Sequence, residues 1–226
     1  MNKFKLRLIN IYHHVFGERF YEKIDYNFPE NFMRWDLVNN AIQQENYKNY
    51  LEIGCDDDTL FSKVNNVKKK IGVDPAKGGN CRKTSDEFFL QNKEKFDCIF
   101  IDGLHEYKQV KKDINNSLNA LDDNGTIFIH DCLPTNFFQQ AVPRCRMIWT
   151  GDVWKSIVEM RTLRNLDTSV CKIDYGIGII KKRENSNELK ISDQNFSQLR
   201  FKDYYDNYNK YMRLIDHDEA LKFLKN

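Results

Sequence analysis

Asp102-Gly103-Leu104-His105 sets an aspartate and a histidine three residues apart, and His130-Asp131 sets the same pair side by side. Each follows a short apolar run, Cys98-Ile99-Phe100-Ile101 and Ile127-Phe128-Ile129, of the kind that forms a strand buried on both faces of a parallel sheet. In open α/β sheets, ligands sit just beyond the carboxyl ends of the strands. A carboxylate there can bind a polar group, and an imidazole, basic near neutral pH, can accept a proton. A plainer reading stays open, in which Asp102 caps the next helix and His105 lies in its first turn.

The elements that must position these groups read as alternating strands and helices. Residues 50–55 read as a strand ending in a tight turn, 70–74 as a second ending in Asp74, and 82–85 as a third, weaker strand. Short helices are expected at 61–67 and 86–92. After the strand at 96–101, a helix carries Tyr107, Val110, Ile114, Leu118 and Leu121 on one face, with Lys108, Lys111 and Lys112 on a solvated one. The strand ending at His130 comes next. Two final strands, 170–173 and 177–181, are joined closely enough through Asp174-Tyr175-Gly176 to run antiparallel. This order predicts an α/β fold: a doubly wound, mostly parallel seven-stranded sheet with an antiparallel last strand and helical terminal additions. Residues 1–48 are expected to form an N-terminal helical extension, 49–181 the core, and 182–226 a helical tail packed on it. The extension holds two helices, at 3–16 and 32–47. The first places Phe4, Leu8, Ile11, Tyr12, Val15 and Phe16 at helical spacing among Lys3, Lys5 and Arg7. It suits a membrane surface or a partner subunit, and most simply its own domain. The adjacent His13 and His14 face different sides and make no metal pair.

With 226 residues, the chain is long enough for one good-sized α/β domain with appendages. A formal net charge of +2 argues against nucleic acid as a partner. Six cysteines without a C-x-x-C pair look like reduced structural thiols of a cytoplasmic protein. No stretch approaches the roughly 18 apolar residues of a membrane span. The amino end begins like a signal peptide, but Asn10, His13 and His14 interrupt its apolar core, so it reads as mature protein.

Asp74 lies about twenty residues beyond the first turn, where a carboxylate accepts hydrogen bonds from the hydroxyls of an adenosine ribose. That turn, Glu52-Ile53-Gly54-Cys55-Asp56-Asp57-Asp58, lacks the glycine fingerprint a pyrophosphate needs. Its three aspartates would repel phosphates, yet tolerate a zwitterionic sulfonium. S-adenosylmethionine is therefore favoured over a dinucleotide.

From 32 to 181 the chain resembles class I S-adenosylmethionine-dependent methyltransferases, including its Gly151-Asp152-Val153-Trp154-Lys155 and Asp174-Tyr175-Gly176-Ile177-Gly178 segments. The resemblance implies the Rossmann-like methyltransferase fold. It also implies cofactor contacts from Glu52 and Gly54 to the methionine part, from Asp74 to the ribose, and from Ser85 and Asp86 to the adenine, with Asp102 bordering the same ligand. The Asp-Gly-x-His and His-Asp segments are similar to metal-assisted sugar O-methyltransferases of the macrolide type. That likeness implies Asp102 and Asp131 as ligands of a divalent cation, magnesium or manganese, and His105 as general base. His130 stands where that branch has a glutamate, as a third metal donor or a residue orienting Asp131. Trp154 and Lys155 are candidates for the acceptor pocket. Asp56 and Asp58 replace the family's second and third glycines. The expected activity is O-methylation of a small polar acceptor such as a sugar or glycan-precursor hydroxyl, by a chain that could form a homo-oligomer. The competing functions are a non-catalytic cofactor-binding subunit and a nicotinamide-dependent oxidoreductase.

Overall fold

The computed structural model describes residues 3–191 and 195–225, without the Lys3 side chain. The outermost residues of both expected terminal portions, and 192–194 within the second, lie outside the described residues. In chain order the elements are α1 (Lys3–Phe16), α2 (Arg34–Glu45), β1 (Asn49–Ile53), β2 (Lys69–Val73), α3 (Ser85–Gln91), β3 (Phe96–Ile101), α4 (Tyr107–Ala120) and β4 (Leu121–Ile129). There follow α5 (Phe137–Gln140), α6 (Trp154–Met160), β5 (Asp167–Cys171), β6 (Ile177–Lys181), α7 (Phe201–Met212), β7 (Leu214–Ile215) and α8 (His217–Leu224).

The seven strands form one sheet in the order β2-β1-β3-β4-β6-β5-β7. β2, β1, β3 and β4 pair in parallel, and β6 is inserted antiparallel between β4 and β5. Strand alternation explains why both faces are covered. Leu51, Ile53, Ile99, Ile101, Ile127 and Ile129 share one core with α4, α6 and α7. Tyr50, Cys98, Phe100, Phe128 and Ile179 share the other with α2 and α8. α4 buries Tyr107, Val110, Ile114 and Ser117, a three-to-four-residue repeat against the first core.

Three local expectations are corrected. No strand forms at 82–85; a single bridge joins Val73 to Cys81, and the exposed Arg82 donates to the Asp74 carbonyl (2.8 Å). The seventh strand is instead Leu214–Ile215, two residues long and parallel to β5, inside the tail that reads as helical. Residues 61–67 contain only the single 3₁₀ turn Phe61–Lys63.

α1 packs on its own domain, through the side that carries Asn10, His13 and His14 together with half-buried Leu6 and Ile9. Asn10 Nδ2 donates to the Cys145 carbonyl (3.2 Å), His13 Nε2 faces the Pro143 carbonyl (3.2 Å), and the His14 ring lies 4.8 Å from that of Phe138. Phe4, Leu8, Ile11, Tyr12, Val15 and Phe16 are exposed, while Leu6 and Ile9 are half-buried on the side of Asn10 and His13. Among the described residues no helix is long and apolar enough to cross a membrane, and all six cysteines are free.

Candidate functional site

β1 and β3 are parallel neighbours, so their carboxyl ends lie side by side. The Asp102 N–H continues this ladder by donating to the Ile53 carbonyl (2.8 Å). Gly54, the next residue after Ile53, has φ +85°, and a Cβ there would lie 2.2 Å from the Asp102 carbonyl oxygen. Only glycine lets the two strand ends approach this closely.

Asp102 is not the cap of α4. The first helical N–H, of Tyr107, is taken by Asp152 Oδ1 (2.7 Å), and His105 precedes the helix. Asp102 Oδ1 therefore faces two imidazoles, His105 Nε2 and His130 Nδ1, each at 3.1 Å. The other His105 nitrogen, Nδ1, stands 3.1 Å from Asp131 Oδ2 and 3.0 Å from the Trp149 carbonyl. Trp149 also stacks on the imidazole, with centroids 5.3 Å apart.

Successive strand residues point to opposite faces. His130 and Asp131 escape this rule because Asp131, two residues past the end of β4, adopts the left-handed conformation (φ +60°). The turn brings Asp131 Oδ1 within 3.7 Å of His130 Nδ1, so both side chains reach one spot. Backbone strain of this kind in a non-glycine residue is concentrated at functional sites. The exit is fixed by the N–H groups of Cys132 and Leu133, which donate to the carbonyls of Gly176 and Tyr175.

Both His130 nitrogens are engaged, Nδ1 by Asp102 and Nε2 by the Asp174 carbonyl at 2.9 Å. His130 thus stands closer to Asp102 than to Asp131, and it is outside the group of three side chains whose donor atoms lie within 4.8 Å of one another. Arg34 completes the chain by pairing with Asp174 Oδ2 (2.5 Å). Arg34 is not singled out by sequence pattern, and Asp174 is noted only as part of a turn and of a segment that resembles the family.

Burial alone would lower the pKa of both histidines, but the nearby carboxylates outweigh it. His105 is raised chiefly by its bond to Asp102 and the charges of Asp102 and Asp131. His130 is raised further by the charges of the same two acids. Asp102 is held below the usual carboxylate range: burial opposes this, and the His130 charge and both imidazole contacts overcome it. Asp131 is raised by burial, against the pull of His130 and His105.

A cavity of about 680 Å³ opens beside this cluster. Gly54, Asp74, Ser85, Asp86, Asp102 and His105 all line it, together with Trp149 and Arg144. Its volume suits a nucleoside carrying an amino-acid chain. Asp74 is already heavily used. Its Oδ2 accepts from the N–H groups of Cys55 and Asp56 (3.2 Å each), and its Oδ1 from those of Ala76 (2.8 Å) and Lys77 (2.9 Å). A carboxylate has about four lone-pair positions, so a ribose diol would have to share them. These backbone bonds, working against burial, hold the Asp74 carboxyl below its usual range.

Asp56 and Asp58, in place of glycines, both sit in the left-handed region (φ +44° and +64°), which aspartate tolerates better than most residues. Asp58 Oδ1 accepts from the Gly79 N–H (2.6 Å), which ties this turn to the loop after β2. Glu52 does not line the cavity. It points to the opposite sheet face, takes a bond from Tyr50 Oη (2.5 Å), and is pushed up to about 8, first by burial and further by the charge of Asp102. Ser85 and Asp86 begin α3 and are held by Gln109 from α4, while Asp86 also pairs with Lys112.

Trp154 and Lys155 are not brought to the cluster. Trp154 is 0 % exposed, packed on Tyr204 in the core, with its indole N–H on Gln140. Lys155 pairs with Asp152 (3.0 Å) and faces a separate cavity of about 310 Å³ beside α1. The useful part of that segment lies just upstream. Gly151 (φ +59°) lets the chain cross the His105 carbonyl, and the Asp152 N–H donates to it (3.2 Å).

Residues 37–132, from α2 through the strand-end cluster, match the family model described as a methyltransferase domain. No curated protein matches the chain in sequence. Among solved structures, a candidate O-methyltransferase from Klebsiella pneumoniae shares the fold at TM-score 0.50, with 11% identity, covering 81% of this chain and 91% of that one. An O-methyltransferase from Bacillus cereus in complex with S-adenosylhomocysteine gives 0.48, with 10% identity and 80% and 92% coverage. The Podospora anserina methyltransferase PaMTH1, also bound to that product, gives 0.49, with 13% identity and 81% and 97% coverage.

Proposed function

We propose that this chain, a class I S-adenosylmethionine-dependent methyltransferase, methylates an oxygen of a small polar acceptor such as a sugar or glycan-precursor hydroxyl, with His105 as the base. One observation supports this most: Asp102 and His105 open onto the same cavity as Gly54, Asp74, Ser85 and Asp86. A nucleoside lying along the second set would bring its methyl group toward the first.

The donor set fits a hard divalent cation. One atom each from Asp102, His105 and Asp131 lie within 4.8 Å of one another, and two of the three are carboxylate oxygens. Asp102 and Asp131 would hold the ion. When bound, such an ion would lower the pKa of the acceptor hydroxyl, fix its position and, by its charge, favour neutral His105.

The remaining work belongs to the chain itself. His105 takes the hydroxyl proton as the methyl moves, an imidazole contribution of typically a hundredfold or more. Trp149, through its ring and carbonyl, holds the imidazole in one orientation. Methyl transfer is an in-line displacement, so fixing the oxygen against the sulfonium supplies much of the acceleration.

Isothermal titration with S-adenosylhomocysteine and with NAD, followed by a methyl-transfer assay on a panel of sugars with and without added magnesium, tests the reading. Binding of the first ligand alone and metal-stimulated transfer to a hydroxyl support it. Preference for NAD would restore the oxidoreductase alternative. Tight cofactor binding with no transfer to any acceptor would favour a non-catalytic subunit.

A further inference from the structure

Because α1 is attached through Leu6, Ile9, Asn10, His13 and His14, its opposite side faces solvent. At 100° per residue, Leu8, Ile11, Tyr12, Val15 and Phe16 fall on that side as one stripe. They are exposed by 51%, 52%, 57%, 65% and 72%. A contiguous apolar surface of this kind marks a place of interaction.

Charge selects the occupant. Lys5 and Arg7, both exposed, fall on opposite edges of the stripe, and α1 contains no acidic residue. Arg146 extends the Arg7 edge, since its guanidinium lies over the Phe138 ring that His14 also contacts. Beyond it, Met147 and Ile148 are again exposed apolar residues. The acids beside Tyr12 and Phe16, Glu18 and Asp152, are already paired with Arg200 and Lys155. Two copies of α1 laid face to face would therefore bring cationic rims together with no acid in the helix to answer them. An anionic surface meets both features at once, its headgroups the rims and its acyl boundary the stripe.

We propose that α1, with the neighbouring 144–148 segment, docks this protein on an anionic lipid surface, lying flat at the headgroup level. The same segment runs into Trp149, which covers His105, so the docked surface and the cavity are neighbours.

Flotation of the full chain with vesicles of phosphatidylcholine alone, or mixed equally with phosphatidylglycerol, tests this. The protein should float with the mixed vesicles only. The pairs Leu8→Ser with Ile11→Ser, and Lys5→Glu with Arg7→Glu, should each reduce the bound fraction about tenfold or more. All four positions are exposed, so an unchanged melting midpoint should accompany the loss. No flotation with mixed vesicles, or flotation untouched by either pair, overturns the proposal. A dimer in light scattering that Leu8→Ser dissolves, without vesicle binding, overturns it in favour of self-association.

Discussion

Gly151 and His105 are in backbone contact: a Cβ placed on Gly151 would stand 1.7 Å from the His105 carbonyl oxygen. The glycine's left-handed φ of +59° and the Asp152 N–H that follows hold the backbone of His105 at its carbonyl. The candidate base is thus gripped by a loop more than forty residues later in the chain.

Gly151→Ala must push that carbonyl away and place a side chain in a strained conformation, at about 1–3 kcal/mol for the backbone alone. The expected result is a lower melting midpoint and a loss of turnover larger than the loss of cofactor affinity. Calorimetry and steady-state kinetics on the same preparation measure both.

His105→Ala should lower kcat by about a hundredfold or more. The pH dependence of kcat should also lose its ascending limb, since the group that must be deprotonated is gone. A variant whose pH–rate profile matches the wild type would leave His105 a structural residue only.

Asp102→Asn and Asp131→Asn should each abolish turnover, and a chelator should mimic them in the wild-type protein. Titration with S-adenosylhomocysteine should still give measurable binding to the Asp131 variant, because Asp131 does not line the cavity. Full activity in the presence of the chelator would remove the metal from the scheme.

Glu52 offers a pH test outside the cluster. Its folded-state value of about 8 lies above the ordinary carboxyl value of 4.5, so between these the folded chain holds a proton that the unfolded chain has released. Its contribution to stability is complete below pH 4.5 and is lost as pH rises through 8, at roughly 1.4 kcal/mol per unit of pKa difference. Denaturant melts should show wild-type stability falling relative to Glu52→Gln from pH 5 to pH 8. A constant gap between the two proteins would show that the carboxyl is ionised when folded.

The sheet was legible wherever burial on two faces forces an apolar run, as at 98–101 and 127–129, because few other structures accommodate one. β7 was not. Its two residues continue an aromatic helix pattern and become a strand only through the edge that β5 offers. At the site, Asp102, His105 and Asp131 could be found from their place at strand ends. The partners that aim them could not. Trp149 and Arg34 are distant in sequence and nothing in their local pattern marks them, while Asp152 and Asp174 stand in segments that resemble the family but carry no sign of which side chain they meet. Trp154 misled for a related reason: helical spacing shows that a tryptophan packs, but not which side of the sheet receives it.

The four backbone N–H groups gathered by Asp74 bear on how a ligand arrives. They tie the turn after β1 to the loop after β2 before anything enters the cavity. The entropy of ordering these walls is therefore spent during folding and is not charged again at each encounter. Association should then proceed as insertion into a ready slot, its speed set by diffusion and orientation without a slow closing phase.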